Sequence, residues 1–509
     1  MIETLITGSG VNRYRRVEPG SVSVLPAALV LGAVQFLIGA VTARFPSYWG
    51  DEAATLTVSQ RSLPDMFALL AHVDAVHGVY YLIQGLFLSV VGTDPFPARM
   101  LSVTAVAATV GFTVILGARL AGPRVGIFAG VVASFLPGLI WAGSELRSVA
   151  LTALLAVLTM LALERATRRG SAPAWGLYAL MLTCATWLFV FSALLAIPAA
   201  ALAVSRTCTR PFLWSSCLAG LASLPIVVAT STQVGQVSWI STQPGELLKG
   251  ALIGQYFFGQ RPYYAFGHPT AHFATALMVL SLGIVAWFTY ASFRRRQWSL
   301  WMIGVAWTLL PTVILVGMTA LGKPVYLERY LTFTAPGLCL LVGAALAVMS
   351  PQKGVAILTV FCLLATPILV SQKREGFKPN NFAAMARVVE DRKVPGAAVI
   401  YSDVRAYGVP MAYPEQFSGV EDVALDAGPL ETATFWGSVV PANELDLTKL
   451  KGRQVFVLAR TVQPDASAGA AGSDGARPSD PYIARLVDAG CIEEEVSAVT
   501  ILTAHILMC

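Results

Sequence analysis

Runs of about twenty apolar residues recur along most of this chain, each long enough to cross a bilayer as a helix at about 1.5 Å per residue. They lie near residues 24–43, 98–118, 125–141, 148–164, 211–230, 271–291, 299–320, 331–349 and 354–370. The run 175–205 is too long for one crossing and just enough for two short ones, so eleven crossings are expected. Of 509 residues, 56% are hydrophobic and 13% charged, and the mean hydropathy is +0.66. That balance excludes an ordinary soluble protein and fits a polytopic α-helical membrane protein.

Charge divides the chain in two. Residues 1–371 carry 22 Lys and Arg against 11 Asp and Glu, and residues 372–509 carry 13 against 18. We read 1–371 as a transmembrane domain and 372–509 as a soluble α/β domain. The basic excess belongs to membrane loops and requires no nucleic-acid partner. Residues 79–91 are apolar but too short to span, which suggests an interfacial or re-entrant helix. If they do not cross, one side of the membrane collects Arg13, Arg15 and Arg16, Arg119 and Arg124, Arg165 with Arg168 and Arg169, Arg206 and Arg210, Arg294-Arg295-Arg296, and Lys353. The positive-inside rule makes that side cytoplasmic. The N-terminus is then expected inside and the tail outside, in a plasma membrane. The first apolar stretch lacks a convincing cleavage site and reads as a retained helix.

In the tail, 381–392 is amphipathic, 397–402, 454–459 and 498–503 are short strand-like runs, and 481–489 reads as a second helix. The Ala-, Gly- and Ser-rich stretch 463–480 reads as a loop. Seven cysteines show no metal-ligand spacing. Cys184, Cys208, Cys217, Cys339 and Cys362 lie in or beside apolar runs and read as small packing residues. Cys491 and Cys509 are a plausible disulfide pair if the tail faces an oxidising compartment.

Asp51 and Glu52 stand side by side just past the first apolar run, in Tyr48-Trp49-Gly50-Asp51-Glu52-Ala53. Carboxylates at a membrane helix end are costly to desolvate, so they need a reason to be there. A second polar cluster follows, His72, Asp74 and His77, and then Tyr80-Tyr81. Between them, Ser62-Leu63-Pro64-Asp65 reads as the capped start of a short surface helix. Together the clusters point to a reaction centre at the outer membrane surface. The cluster could bind acceptor or phosphate. It could also ligate a divalent cation, with Asp51, His72, Asp74 and His77 as candidate ligands, or form a hydrogen-bonded knot that fixes the loop. Tyr80 and Tyr81 read as interfacial anchors, with sugar stacking as the alternative. The run 255–264, Gln255-Tyr256-Phe257-Phe258-Gly259-Gln260-Arg261-Pro262-Tyr263-Tyr264, looks too broken for a helix. It suits an interfacial aromatic belt, a lipid-tail entrance or a pocket cap.

An Asp-Glu pair directly after the first helix, then a His-containing turn ahead of Tyr-Tyr, resembles the lipid-dependent membrane glycosyltransferases of the GT-C superfamily, family 39 or protein-mannosyltransferase-like. Ser144-Glu145-Leu146-Arg147-Ser148, Ala185-Thr186-Trp187-Leu188-Phe189, and Glu328-Arg329-Tyr330-Leu331 with Pro336 resemble further motifs of that family, in the same order. At Gly78-Val79 many relatives carry Pro-Pro. The tail carries no family signature.

The resemblance implies an inverting transfer of a sugar, mannose or arabinose, from a polyprenyl-phosphate donor to a hydroxyl of a glycan, glycolipid or protein. An aminosugar remains open. A hydroxyl must lose its proton as it attacks, and one carboxylate can take it. Asp51 is the candidate base; the alternative is a helix-end carboxylate paired with a nearby Arg. Glu52 could be a second acceptor contact, a metal ligand or a structural partner. The leaving phosphate needs cations and no acid. Arg329 and Arg147 are the candidate ligands, with pairing to Glu328 and Glu145 as their alternative. Lys323 is a weaker candidate, and Tyr81 and Tyr330 complete the expected substrate contacts. No cofactor is required by this chemistry, and a divalent cation is an option. A transporter or flippase of lipid-linked saccharide is the competing reading, and a membrane anchor presenting the tail is a third. Transporters place ionisable groups near the midplane, whereas here the carboxylates gather at one face.

Overall fold

The computed structural model describes residues 23–259, 268–295, 298–461 and 480–509. Arg13, Arg15, Arg16, Arg296, the 260–264 part of the aromatic run and most of the 463–480 loop lie outside the described residues. Among the described residues, eight helices are long and apolar enough to cross a membrane: Leu25–Thr42, Pro95–Ala121, Val149–Arg169, Thr209–Ser231, Ala271–Arg294, Ser299–Ala320, Glu328–Ala347 and Pro351–Ser371. The other three expected crossings fall on shorter helices, for local reasons. In the 125–141 run, Leu136 precedes Pro137, a position that disfavours helical backbone. Leu136 is extended at φ −81° and ψ 109°, and the run breaks into Pro123–Phe135 and Pro137–Ala142. The 175–205 run divides as expected, into Ala172–Leu188, a 3-10 segment Val190–Leu195, and Ala196–Ser205.

Two compact units divide the chain. The first comprises Arg99–Gln372 with Asp74–Tyr80 and the helix Leu25–Thr42. Small residues let its helices meet backbone to backbone. A Cβ on Gly117 would lie 2.9 Å from Gly126 Cα, and one on Gly343 would lie 2.6 Å from Ala129 N. Within this unit the run that looked too broken for a helix is a π-helix, Gly250–Phe258, and Gln255, Tyr256, Phe257 and Phe258 are buried. These four residues form no interfacial belt. The Gln255 amide explains the difference: it donates to Thr312 Oγ1 at 3.0 Å and Thr334 Oγ1 at 3.1 Å. Tyr256 Oη donates to the Thr308 carbonyl at 2.9 Å. A polar network satisfied this fully can be held inside the protein. The π-helix ends at Gly259, whose φ of +87° favours glycine, and a Cβ there would lie 2.6 Å from Trp141 Cβ.

The second unit comprises Arg44–Val73, Tyr81–Ala98 and Lys373–Cys509. Its five-stranded sheet contains β1 (Ala398–Tyr401), β2 (Glu421–Asp422), β5 (Gln454–Arg460), β6 (Ile492–Val499) and β7 (Leu502–Met508). Between β2 and β5 a separate two-stranded sheet pairs β3 (Leu425–Ala427) with β4 (Ser438–Val439). The large sheet has the order β2-β1-β5-β7-β6, with β2, β1 and β5 parallel and β7 and β6 antiparallel. Side chains alternate along each strand. Val399, Phe456, Leu458, Ala504 and Ile506 face the helix Phe382–Arg392, and Ala398, Ile400, Val455, Val457 and Leu507 face the helix Pro481–Asp488. The strand-like run at 498–503 is the tip of a hairpin: β6 ends at Val499, Thr500 turns at φ 55°, and β7 begins at Leu502. The Glu493-Glu494-Glu495 run hides β6 from a hydrophobicity reading, and such charges suit an edge strand. Cys491 and Cys509 are joined by a disulfide.

Ala53, from the segment after the first membrane helix, belongs to the same hydrophobic core as Phe382, Met385, Tyr407 and Val409 of the tail. The tail therefore folds around that segment as part of one core.

Candidate active site

The helix Gly50–Ser59 carries the adjacent carboxylates in its first turn, where the helix dipole favours negative charge. Its start is fixed by the tail. Tyr48 N–H donates to Tyr413 Oη at 3.0 Å, Gly50 N–H to Asn380 Oδ1 at 3.4 Å, and Ser47 N–H to the Glu375 carbonyl at 3.2 Å. Neighbouring positions on a helix point about 100° apart, so the two carboxylates meet different surroundings. Glu52 is fully buried, and its Oε2 accepts from Lys378 Nζ at 2.5 Å; neither side chain reaches solvent. Asp51 remains half-buried. His72 is exposed just beyond the helix Leu63–Leu70, which begins as expected: Ser62 Oγ accepts from Asp65 N–H, and Pro64 occupies the first turn.

Apart from Tyr81, which belongs to the second unit, the remaining expected residues lie in the first unit, and there the separated motifs converge. Asp74 adopts left-handed backbone at φ 61°, a conformation Asp tolerates. Two glutamines hold that turn: Asp74 N–H donates to Gln236 Oε1 and Ala75 N–H to Gln233 Oε1, each at 2.9 Å. The segment Ser144–Ser148 is buried throughout. Its Arg147 is 9% exposed, and Nη1 lies 3.9 Å from Asp74 Oδ2. His77 Nδ1 lies 3.3 Å from Ser148 Oγ, and its ring stacks on Phe189 with centroids 5.5 Å apart. Phe189 meets Tyr330 at 5.1 Å, and Phe191 meets Tyr330 at 6.1 Å. The His turn, the Ser144–Ser148 turn, the Phe189 joint and the Arg329-Tyr330 segment are thus one cluster. Arg329 is half-buried beside Tyr330, while Lys323 is exposed.

Tyr80 and Tyr81, expected at a headgroup level, are both completely buried instead. They lie in the first turn of a helix, Gly78–Val91, whose exposed apolar residues are Leu82, Ile83, Leu86 and Val90, so the apolar surface begins just after them. Among the described residues, no group of three or more His, Cys, Asp and Glu side chains comes together to hold a metal ion. Asp74 and His77 are each engaged as above.

Sequence reasoning overlooked Lys378, Gln233 and Gln236. Nothing in their local pattern marks them, since each acts on a residue more than a hundred positions away. Arg99 was overlooked too; it is fully buried and donates from Nη1 to the Ala43 carbonyl at 2.6 Å. A basic residue at the start of an apolar run is a signal that could have found it.

A helical membrane body with interfacial helices after the first span and a C-terminal α/β sheet domain defines the GT-C type of fold. The structure of ArnT from Cupriavidus metallidurans bound to undecaprenyl phosphate is similar over 95% of this chain and 98% of that one, with a TM-score of 0.55 at 12% identity. The same protein in its apo state matches with a TM-score of 0.53 at 13% identity, over 94% and 97% of the two chains. No protein-family model and no curated protein matches the sequence.

Proposed function

We propose that this chain is an inverting glycosyltransferase that moves a sugar, mannose or arabinose, from a polyprenyl-phosphate donor to a hydroxyl of a cell-envelope glycan, glycolipid or protein. The protein-mannosyltransferase-like affiliation is part of this reading. The observation that carries it is the divergent fate of two adjacent carboxylates. Glu52 is locked to Lys378 inside the protein, and Asp51 stays half-buried in the same first turn of the helix. Titratable neighbours held in contrasting environments are how acid-base roles become divided.

In the reaction, the acceptor oxygen attacks the anomeric carbon and gives its proton to the Asp51 carboxylate. The bond from that carbon to the phosphate oxygen breaks with its electron pair, and the lipid phosphate leaves as an anion. Arg329 and Arg147 receive that charge, because guanidinium groups match phosphate oxygens. Tyr330, half-buried and backed by the buried Phe189, supplies an aromatic face suited to a sugar. The likeness to ArnT, solved with undecaprenyl phosphate, supports a lipid-phosphate donor. The Cys491–Cys509 disulfide supports a tail in an oxidising, extracytoplasmic compartment.

The test is incubation of the purified protein with radiolabelled polyprenyl-phosphate sugars and candidate acceptors. Wild type is expected to transfer label, and Asp51→Asn to lose about 10²-fold or more of that rate while remaining folded. Full activity in Asp51→Asn, or no transfer from any donor by folded wild type, overturns the reading.

A further inference from the structure

The second unit contains a cavity of about 510 Å³ formed by the far end of the Asp51 helix, the turn after it, and the helix Gly78–Val91. Its size falls within the range of small-molecule sites. Ser59 and Asp51 are eight residues apart on one helix, so the cavity begins about 12 Å along the axis from that carboxylate. Gly85 permits the arrangement, because any Cβ there would run into the Ser59 carbonyl oxygen.

The polar lining is unusual. Arg61 is the one charged side chain among the lining residues. Its Nη2 donates to the Thr434 carbonyl at 2.6 Å. Its Nε and Nη1 are buried and donate to no described residue, and the same holds for the hydroxyl of Ser59, which is only 6% exposed. Buried donors of this kind normally have an acceptor. Burial pushes the Arg61 pKa down while the nearby Asp65 pushes it up. Asp65 is itself engaged, since its Oδ2 accepts from Ser62 Oγ at 2.5 Å. The rim is apolar and outward-facing: Leu63 and Leu86 both line the cavity and stand exposed, Leu86 at 74%. Exposed leucines on short apolar helices beside a membrane span belong at the lipid boundary.

We propose that this cavity binds the headgroup phosphate of an anionic glycerophospholipid, with Arg61 and Ser59 donating to the phosphate oxygens and the acyl chains leaving between Leu63 and Leu86. One guanidinium matches a lipid whose headgroup carries a net single negative charge, the quaternary ammonium of a choline headgroup would set a second cation beside Arg61, and the leucine rim selects a ligand with tails over free phosphate. Bound there, the lipid fastens the interfacial helices against the bilayer.

The experiment uses the full chain in detergent with tritiated dioleoyl-phosphatidylglycerol or dioleoyl-phosphatidylcholine, and reads the lipid retained per protein after gel filtration. Phosphatidylglycerol is expected to bind about tenfold more tightly, and Arg61→Gln to remove that preference, as loss of one charge-assisted contact implies. Equal retention of the two lipids, an unchanged preference in Arg61→Gln, or displacement by millimolar inorganic phosphate or by undecaprenyl phosphate overturns the proposal. Should Arg61→Gln not fold, photo-crosslinking of wild type with a diazirine phosphatidylglycerol decides. Adducts on peptides spanning 59–93 support the site, and adducts confined elsewhere overturn it. Neither readout depends on sugar transfer.

Discussion

Lys378 Nζ lies 2.5 Å from Glu52 Oε2, and both side chains are shut off from solvent. The lysine comes from the first residues after the last membrane helix, and the glutamate from the segment after the first. Removing one partner of such a pair leaves an uncompensated buried charge. Lys378→Met is therefore expected to destabilise the protein by about 3–5 kcal/mol. Adding Glu52→Gln is expected to recover most of that loss. Thermal unfolding of the two single variants and the double variant closes the cycle. A double variant no more stable than Lys378→Met would show that the pair is not the source of the effect.

Arg147 and Asp74 make a second, less enclosed pair at 3.9 Å. Here the prediction separates positioning from binding. Arg147→Lys keeps the charge and loses the planar fork that suits phosphate. Its unfolding temperature is expected to stay close to that of wild type, while KM for the lipid-linked donor rises about tenfold. An unchanged KM would assign Arg147 to holding the Asp74 turn alone.

The Glu375 carboxylate is held below its ordinary value of 4.5, chiefly by hydrogen bonds from Arg387. A lowered folded-state value means that the contribution to stability is complete above about pH 4.5 and fades as pH falls through the folded value. Arg387→Gln is expected to flatten the acid limb of a plot of Tm against pH as pH falls below about 4.5. Because the Glu375 carbonyl accepts from Ser47 N–H, acid loosening there should also increase amide exchange at Ser47. Parallel curves for variant and wild type would remove the pair from the account.

The disulfide closes a short loop, with its cysteines 18 positions apart. Replacing both with serine should lower stability by about 3 kcal/mol in the chain-entropy view. Maleimide labelling of intact cells before and after reduction would report the compartment. Labelling of the pair without prior reduction would speak against an oxidising location.

Much of the membrane body was legible because its signals are local. Continuous apolar runs mark spans, and Ser62 with Pro64 marks a helix start, whereas the break at Pro137 inside the 125–141 run went unread. The motif residues His77, Phe189 and Tyr330 were also legible, by their order along the chain, although nothing local could say that their rings would stack. What escaped the sequence depends on distant partners or on unusual hydrogen bonding. The π-helix at Gly250–Phe258 needs Thr312 and Thr334 to satisfy Gln255. The burial of Tyr80 and Tyr81 depends on tertiary surroundings that periodicity does not encode. The β6 edge strand is masked by its three glutamates. Lys378 reads as one more juxtamembrane base until Glu52 is placed beside it.

The shared core of Ala53 with Phe382 and Val409 sets an order on biogenesis. During synthesis, the segment bearing Asp51 emerges long before the residues that complete its surroundings. At about 5–20 residues per second the ribosome needs tens of seconds to reach them. Until then the helix Gly50–Ser59 has no scaffold from the tail, and Glu52 has no lysine. A prematurely terminated chain would therefore carry the helix Gly50–Ser59 without the tail residues that pack around Ala53 and without the lysine that holds Glu52, so the last quarter of the message completes the surroundings of its first tenth.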